Sequence, residues 1–242
     1  MIVWQYNVLR LWFIAFASLV ALTGPSLHAQ SSLFSIPTTD VVDEKGAYLE
    51  FDFVSHLESH RNGGFQAYTG KSVFGVHSGL EAGVNVTFAD SLEPNQPIEV
   101  QPNLKWRFYD DEKSGLAAAA GGILFTPVNH RSGADSLGLI YTVLSKQVSH
   151  LHAARLTGGT YCQVGQESGS GSVCGAIAGY EQPLSHRVTF IVDWISGNNR
   201  FGYASPGLAF SITKKSTLNI AYNIGNEGRK NNSLYVTYGY LF

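Results

Sequence analysis

Acidic, basic and amide side chains recur at alternate positions in several segments of the sequence. They share a spacing of two residues and larger apolar neighbours, and they are Glu50, Asp52, Glu81, Asn85, Glu99, Gln101, Asn103, Lys105, Arg107, Arg155, Glu181, Asp193, Asn219 and Asn223. On a β-strand these residues project from one face, because successive side chains point to opposite sides. Such a mixed-charge face can line an aqueous path and select solutes. Alternatively its members can pair with one another and fill the interior.

Two other groups have the residue types that metal binding or catalysis requires. His56, Glu58 and His60 share one strand face and could be metal ligands. His130, Ser132 and Asp135, in a polar stretch, could form a catalytic group of base, nucleophile and acid. The first group lacks further ligands for a tetrahedral site, and nothing in the second orients a base. We therefore predict no metal, no cofactor and no enzyme activity. The alternative is hydrolysis of lipid or peptide at the outer rim by His130, Ser132 or the His56–His60 cluster.

The segments that carry the alternating residues predict β-strands. Apolar residues fall at every second position over most of the chain beyond residue 45, and no helix is needed there. Twelve strands are predicted, near 46–55, 64–76, 79–89, 98–109, 115–126, 136–146, 151–163, 173–182, 187–196, 200–212, 216–224 and 233–242. The second, fifth, sixth and tenth have the weakest pattern, because glycine and alanine blur the alternation.

Strand length and connection length favour a membrane-spanning barrel. A spanning strand needs roughly 9–11 residues, whereas soluble strands average about 5–6, and most of the predicted strands fall in the longer class. Long polar connections alternate with short turns, except for the short "GNN" after the ninth strand, and aromatic residues lie near strand ends. The sequence therefore predicts an all-β transmembrane antiparallel barrel. A secreted β-sandwich or a lipocalin-like barrel is the soluble alternative.

The N-terminus predicts export. Arg10 precedes an apolar run over 11–22 that is too short to span a bilayer, and small residues follow it up to Ala29. We expect a cleaved signal peptide over 1–29, a periplasmic segment over 30–45 and the barrel over 46–242. The net charge of −2 and the scattered basic residues give no support for nucleic-acid binding.

The alternation predicts which face meets lipid and how some strands pair. Leu49, Val84, Trp106 and Phe190 should point outward. If the two cysteines, Cys162 and Cys174, form a disulfide across one hairpin, the same register sets Arg155 opposite Glu181. Two free thiols are the alternative.

A second register is predicted between the third and fourth strands. It sets Glu81 opposite Arg107 and Asn85 opposite Asn103, with Lys105 diagonal to Glu81.

Two stretches of the sequence resemble a known family. One runs from Ser72 to Phe88 and has a glycine turn followed by Glu81. The other runs from Thr189 to Phe210, and its matching residues are Asp193, Ser196, Gly197, Pro206 and Gly207. Both are similar to outer-membrane proteins of the phenol-degradation MetA-pathway type. The resemblance implies passage of small, often hydrophobic or aromatic molecules across the outer membrane.

The last residues have a separate implication. Tyr240 and Phe242 end the final predicted strand on its lipid face. They resemble the C-terminal signal by which the barrel-assembly machinery recognises bacterial outer-membrane barrels.

Together these features predict a passive channel or transporter for small-molecule solutes in the lipid of the bacterial outer membrane. A twelve-strand barrel lies between the barrels of about 8 strands, which side chains can fill, and the open porins of about 16. The alternatives are an enzyme at the outer rim and a structural or adhesive barrel.

Overall fold

A computed structural model describes residues 32–90, 98–129, 136–148, 153–165, 171–228 and 232–242. Twelve antiparallel strands form a closed barrel in which each strand pairs with its sequence neighbours and the first pairs with the last. The strands are β1 (Ala47–Ser55), β2 (Gln66–His77), β3 (Leu80–Asp90), β4 (Glu99–Asp111), β5 (Leu116–Pro127), β6 (Leu137–Val148), β7 (Ala154–Val164), β8 (Cys174–Pro183), β9 (Val188–Ile195), β10 (Tyr203–Ser211), β11 (Ser216–Gly225) and β12 (Ser233–Leu241). A short 3₁₀ turn, His60–Asn62, follows β1.

The predicted fold class and strand order are therefore confirmed. One connection differs from the prediction, because β9 ends at Ile195 and β10 begins at Tyr203. The connection 196–202 is thus one of the long ones, and the exception to the alternation of long loops and short turns disappears. Among the described residues no helix has the length and apolar character needed to cross a bilayer. The predicted signal peptide over 1–29 lies outside the described residues.

The outer surface of the barrel is apolar, as the alternation predicts. Leu49, Val84 and Trp106 point outward and are 42%, 40% and 56% exposed. Their inward neighbours on the same strands, such as Glu50 and Lys105, are buried. A continuous exposed apolar band of this kind is the lipid-facing surface of a transmembrane barrel.

One of the two predicted registers is correct. Cys162 is opposite Cys174 and the two form a disulfide, while Arg155 is opposite Glu181 on the inner face. The free-thiol alternative is therefore wrong.

The predicted register between β3 and β4 is wrong by two residues. Glu81 is opposite Lys105 rather than Arg107, and Asn85 is opposite Gln101 rather than Asn103. Backbone pairing continues beyond the strand, where the Arg107 N–H donates to the Gly79 carbonyl at 2.7 Å. A shift of two residues keeps every side chain on its predicted face.

The most important difference concerns the segment before the barrel. Residues 30–45 were expected to lie outside it, but Leu33, Phe34, Ile36 and Val42 are buried against inward-facing side chains of the wall. We call residues 32–45 the plug. These apolar side chains lie inside because part of the inner wall is itself apolar and packs against them.

The lipid-facing position of Leu104, near the middle of β4, leads to a test of the membrane topology. Leu104→Arg should lower the free energy of unfolding from lipid vesicles by roughly 2–4 kcal/mol, because it places a charge in the hydrocarbon. Phe108→Arg, nearer the strand end, should cost only about 0–1 kcal/mol. Guanidinium titration of barrels refolded in vesicles measures both, and equal costs would contradict this depth assignment.

Candidate functional site in the barrel lumen

The inner wall of the barrel has an apolar part and a polar part. Strands β5 to β9 direct large apolar side chains inward, which we call the apolar sector: Phe125, Leu137, Leu139, Tyr141, Val143, Tyr161, Ile177, Ile191 and Ile195. Strands β1 to β4, β11 and β12 direct mainly charged, amide and hydroxyl side chains inward. Strand β6 is apolar on both faces, because one faces lipid and the other faces this sector. Polar side chains therefore line only part of the lumen.

A buried group of charges joins the first and last strands of the barrel. Lys71 Nζ lies 2.7 Å from both Glu50 Oε1 and Asp52 Oδ2. The Tyr48 hydroxyl donates to Glu50 at 2.6 Å, and the Tyr235 hydroxyl donates to Asp52 at 2.9 Å. We call these five residues the seam cluster. It links β1, β2 and β12 through their side chains, where the barrel closes.

The tip of the plug is a tight turn held by one wall carboxylate. The Leu33 N–H donates to the Ile36 carbonyl at 2.9 Å, which closes the turn. Asp193 Oδ2 accepts from the N–H groups of Phe34, Ser35 and Ile36 at 2.9, 2.6 and 3.2 Å. Successive backbone N–H groups that converge in this way form an anion-binding nest. Asp193 is 1% exposed, so this nest supplies the partners that a buried charge requires.

Apolar contacts surround the same turn. A side chain at Gly179 would collide with Leu33 and Ile36, since a Cβ there would lie 2.7 Å from the Cδ1 atom of each. The ring of Phe34 packs edge-on against Tyr235, with centroids 6.2 Å apart. The absence of a side chain at Gly179 thus makes room for the plug.

Charged residues hold the plug nearer the short-turn end. Arg155 Nη1 lies 2.6 Å from Asp40 of the plug, and the same guanidinium donates to Glu181. The Val42 N–H donates to Glu81 Oε2 at 2.8 Å, while Glu81 Oε1 lies 3.0 Å from Lys105 Nζ. Several of the predicted inward charges therefore bind the plug.

A cavity remains at the short-turn end, below the plug. Its volume is 350 Å³ and its lining includes Thr39, Asp40, Arg107, Arg155 and Glu181. Arg107 pairs with Asp110 at 3.2 Å in this region. The cavity gives the short-turn end a polar vestibule.

The long-loop end is covered by the connection 196–202, which we call the β9–β10 loop. The Asn199 amide donates to the Tyr161 hydroxyl and to the Ser172 carbonyl, both at 2.7 Å. Phe201 packs on Phe125 of β5 with centroids 5.2 Å apart. Arg200 reaches Glu99 of β4 with two hydrogen bonds. The loop thus contacts strands from the far side of the barrel.

The predicted lumen residues all lie on inward faces, but they do not form one site. Glu50 and Asp52 belong to the seam cluster. Glu81, Lys105, Arg155, Glu181 and Asp193 contact or support the plug, Glu99 lies at the long-loop end, and Arg107 lies at the vestibule. Asn85 and Asn103 join Gln101 in an amide ladder between β3 and β4. Any role in selectivity remains a prediction for all of them.

Sequence reasoning missed several residues that matter here. These are the plug residues, Lys71, Tyr48, Tyr235 and Arg200. The inward Ile191 and Ile195 beside Asp193 were a signal, because apolar residues on both faces of a barrel strand imply something apolar inside.

The candidate metal and catalytic groups gain no support. His56 contacts the Asn232 carbonyl through its ring nitrogen and stacks on Phe65. In the part of the chain that the structure describes, no three His, Cys, Asp or Glu side chains are placed to share a metal ion. His130, Ser132 and Asp135 lie outside the described residues.

Comparison with known proteins supports the fold. No family model and no curated protein sequence matches this chain. The COG4313 outer membrane channel from Pseudomonas putida F1 aligns with a TM-score of 0.52 at 11% identity, covering 84% of this chain and 98% of that one. The NanC porin aligns with a TM-score of 0.52 at 11% identity, covering 81% and 98%. Both likenesses concern the barrel architecture.

Outer membrane phospholipase A from Escherichia coli also aligns, with a TM-score of 0.46 at 16% identity, covering 82% of this chain and 92% of that one. This value is too low to carry an inference about chemistry.

The seam cluster leads to a stability prediction. Lys71→Met should lower the free energy of unfolding by roughly 3–5 kcal/mol, because it leaves two buried carboxylates without their counter-charge. Adding Glu50→Gln and Asp52→Asn to that variant should recover most of the loss. Denaturant unfolding of the refolded barrel measures each value, and an unchanged stability of Lys71→Met would show that the cluster does not support the seam.

Proposed function

We propose that this protein is a bacterial outer-membrane channel for passive passage of small molecules, closed at rest by its own N-terminal plug. The observation that carries the proposal is the content of the lumen. Between the wall strands lies a separate stretch of chain, residues 32–45, rather than wall side chains alone. A segment that precedes β1 can leave the lumen without breaking any pairing among the twelve strands, while its last residues stay attached to β2 through the isolated bridge between Glu44 and Gly75. Its departure would open the bore.

The direction of the barrel supports control from the periplasmic side. Outer-membrane barrels place short turns in the periplasm and long loops outside the cell. Residues 43–46 of this chain lie where β1 starts, at the short-turn end, and Lys45 N–H donates to the Gly75 carbonyl there. The plug therefore enters from the periplasmic side and reaches Asp193 well inside the wall.

The two parts of the inner wall suggest the solute class. With the plug displaced, the apolar sector would face the polar strands across one bore. Small solutes with an apolar or aromatic body and a polar group suit such a surface. The names of the two aligned proteins, a channel and a porin, agree with a transport function, and so does the resemblance found in the sequence.

We also propose the partners and the location that such a channel requires. It is exported, reaches the outer membrane through the barrel-assembly machinery, and presents Tyr240 and Phe242 as the recognition signal. These two rings pack together with centroids 4.7 Å apart, and Phe242 is largely exposed. A catalytic function is not part of the proposal, because His56 contacts the Asn232 carbonyl and His77 faces Glu44 of the plug, and among the described residues neither is placed beside a nucleophile.

Removing the Asp193 carboxylate should open the channel. Hydrogen bonds to a charged group contribute about 1.5–3 kcal/mol each, and each 1.4 kcal/mol corresponds to about tenfold in an equilibrium. Asp193→Ala should therefore raise open probability in planar bilayers by at least about tenfold. Asn219→Ala is the control, since Asn219 faces the lumen but bonds Thr237 of the wall. Equal, low conductance in both variants and the wild type would reject the proposal.

A reversible crosslink tests the same proposal in the opposite direction. Ser35 Oγ of the plug lies 3.2 Å from Ser205 Oγ of β10. In the Asp193→Ala background, with Ser35→Cys and Ser205→Cys added, oxidation should hold the plug in place and suppress conductance, and a reductant should restore it. Asp193→Ala alone under the same reductant controls for the native Cys162–Cys174 disulfide. Conductance that persists after complete crosslinking would show that solutes do not need the plug to move.

A further inference from the structure

The ion pair between Arg200 and Glu99 crosses the long-loop end of the barrel. Arg200 belongs to the β9–β10 loop, and Glu99 is the first residue of β4. Strands β4 and β10 lie on opposite sides of the ring of strands. The pair therefore joins two walls that no backbone pairing connects, and it does so over the opening.

The geometry of the pair is that of a specific contact rather than a loose surface one. Arg200 Nη1 and Nη2 donate to Glu99 Oε1 and Oε2 at 2.9 and 2.8 Å, which is the bidentate arrangement. The guanidinium carbon also lies 5.0 Å from the centroid of Phe125 and 5.4 Å from that of Phe201. Cation–π contact with the two rings holds the guanidinium beside the carboxylate.

The rest of the β9–β10 loop is built to present Arg200 inward. Gly197 has a φ of 98°, which favours glycine, and a side chain there would meet the Tyr161 hydroxyl at 2.9 Å. The Asn226 amide donates to the Gly197 carbonyl at 2.7 Å. These contacts hold the base of the loop against the wall, so that Arg200 and Phe201 extend over the lumen.

We infer that the Arg200–Glu99 pair is a second closure of the solute path, at the extracellular mouth, and that its two charges set the ion preference of the open channel. This inference rests on the proposed channel function. The pair lies at the long-loop end, and the plug enters the bore from the short-turn end, so the two obstruct the same path in series. The pair is a partial closure: once the plug is displaced, it narrows the open channel without abolishing conduction.

Removing one charge of the pair or the other should change the ion preference of the channel in opposite directions. Glu99→Gln leaves the Arg200 cation at the mouth, where it should attract anions. Arg200→Gln leaves the Glu99 carboxylate there, which should attract cations. Either change removes the bridge, so both should widen the opening. The exchanged pair, Glu99→Arg with Arg200→Glu, should restore closure.

Bilayer recording in the Asp193→Ala background tests the ion preference. We expect Glu99→Gln and Arg200→Gln each to raise single-channel conductance by about twofold or more. Reversal potentials in a salt gradient should shift in opposite directions, and the exchanged pair should reverse the gain in conductance. Lys214→Gln, in the exposed turn between β10 and β11, is the matched control and should leave both quantities unchanged. If the Asp193→Ala background conducts but both mouth variants leave its conductance unchanged, the inference is wrong. It is also wrong if both variants shift the reversal potential in the same direction.

Amide hydrogen exchange tests the closure without requiring conduction. Exchange over 196–202 should increase in both single variants and return to the wild-type level in the exchanged pair. Unchanged exchange would overturn the closure. If exchange becomes faster but no variant conducts in bilayers, the proposed channel function is wrong instead. The role of the two charges in ion preference then falls with it.

Discussion

A wall one strand thick has to satisfy lipid on one face and the lumen on the other. Because charges facing hydrocarbon are costly, the strands of this barrel direct most of their charged side chains inward, where the bore is too narrow to leave most of them in bulk water. Glu81 and Asp193 are 2% and 1% exposed although both carry acidic groups. Every buried charge then needs a partner. Much of the lumen architecture follows from the way these partners are supplied.

The wall supplies some partners and the plug supplies the rest. Lys71 lies between Glu50 and Asp52 and satisfies the seam from within the wall. Asp193 instead accepts from three backbone N–H groups of the plug, and Arg155 pairs with Asp40 of the plug as well as with Glu181 of the wall. The apolar sector adds burial of Leu33, Phe34 and Ile36. The same contacts therefore stabilise the lumen and close it, which links barrel stability to the resting state of the proposed channel.

The sequence predicted the wall well because two physical rules act on it locally. Lipid on one side imposes the two-residue period, and turn chemistry sets the ends of the strands. The Cys162–Cys174 register was predictable because a second pair, Arg155 and Glu181, agreed with it. The β3–β4 register was not, since Lys105 and Arg107 share a face and either could oppose Glu81. Alternation fixes the face of a residue but not its partner.

Alternation could not predict the plug, because the apolar residues of the plug do not follow a two-residue period. Leu33, Phe34 and Ile36 occupy a tight turn whose contacts are far away in sequence, such as Gly179 and Tyr235. Arg200 was missed for a similar reason, because its partner Glu99 lies across the barrel. Both cases depend on contacts between segments that no hairpin connects, and local patterns carry little information about these.

The position of the plug in the resting protein is the claim on which the account depends. Methyl- and aromatic-labelled barrel in lipid nanodiscs allows it to be measured by nuclear Overhauser contacts in solution. We expect contacts between the rings of Phe34 and Tyr235, and between the Ile36 methyl group and the Gly179 α protons. Sharp random-coil resonances for residues 33–42, without those contacts, would contradict it.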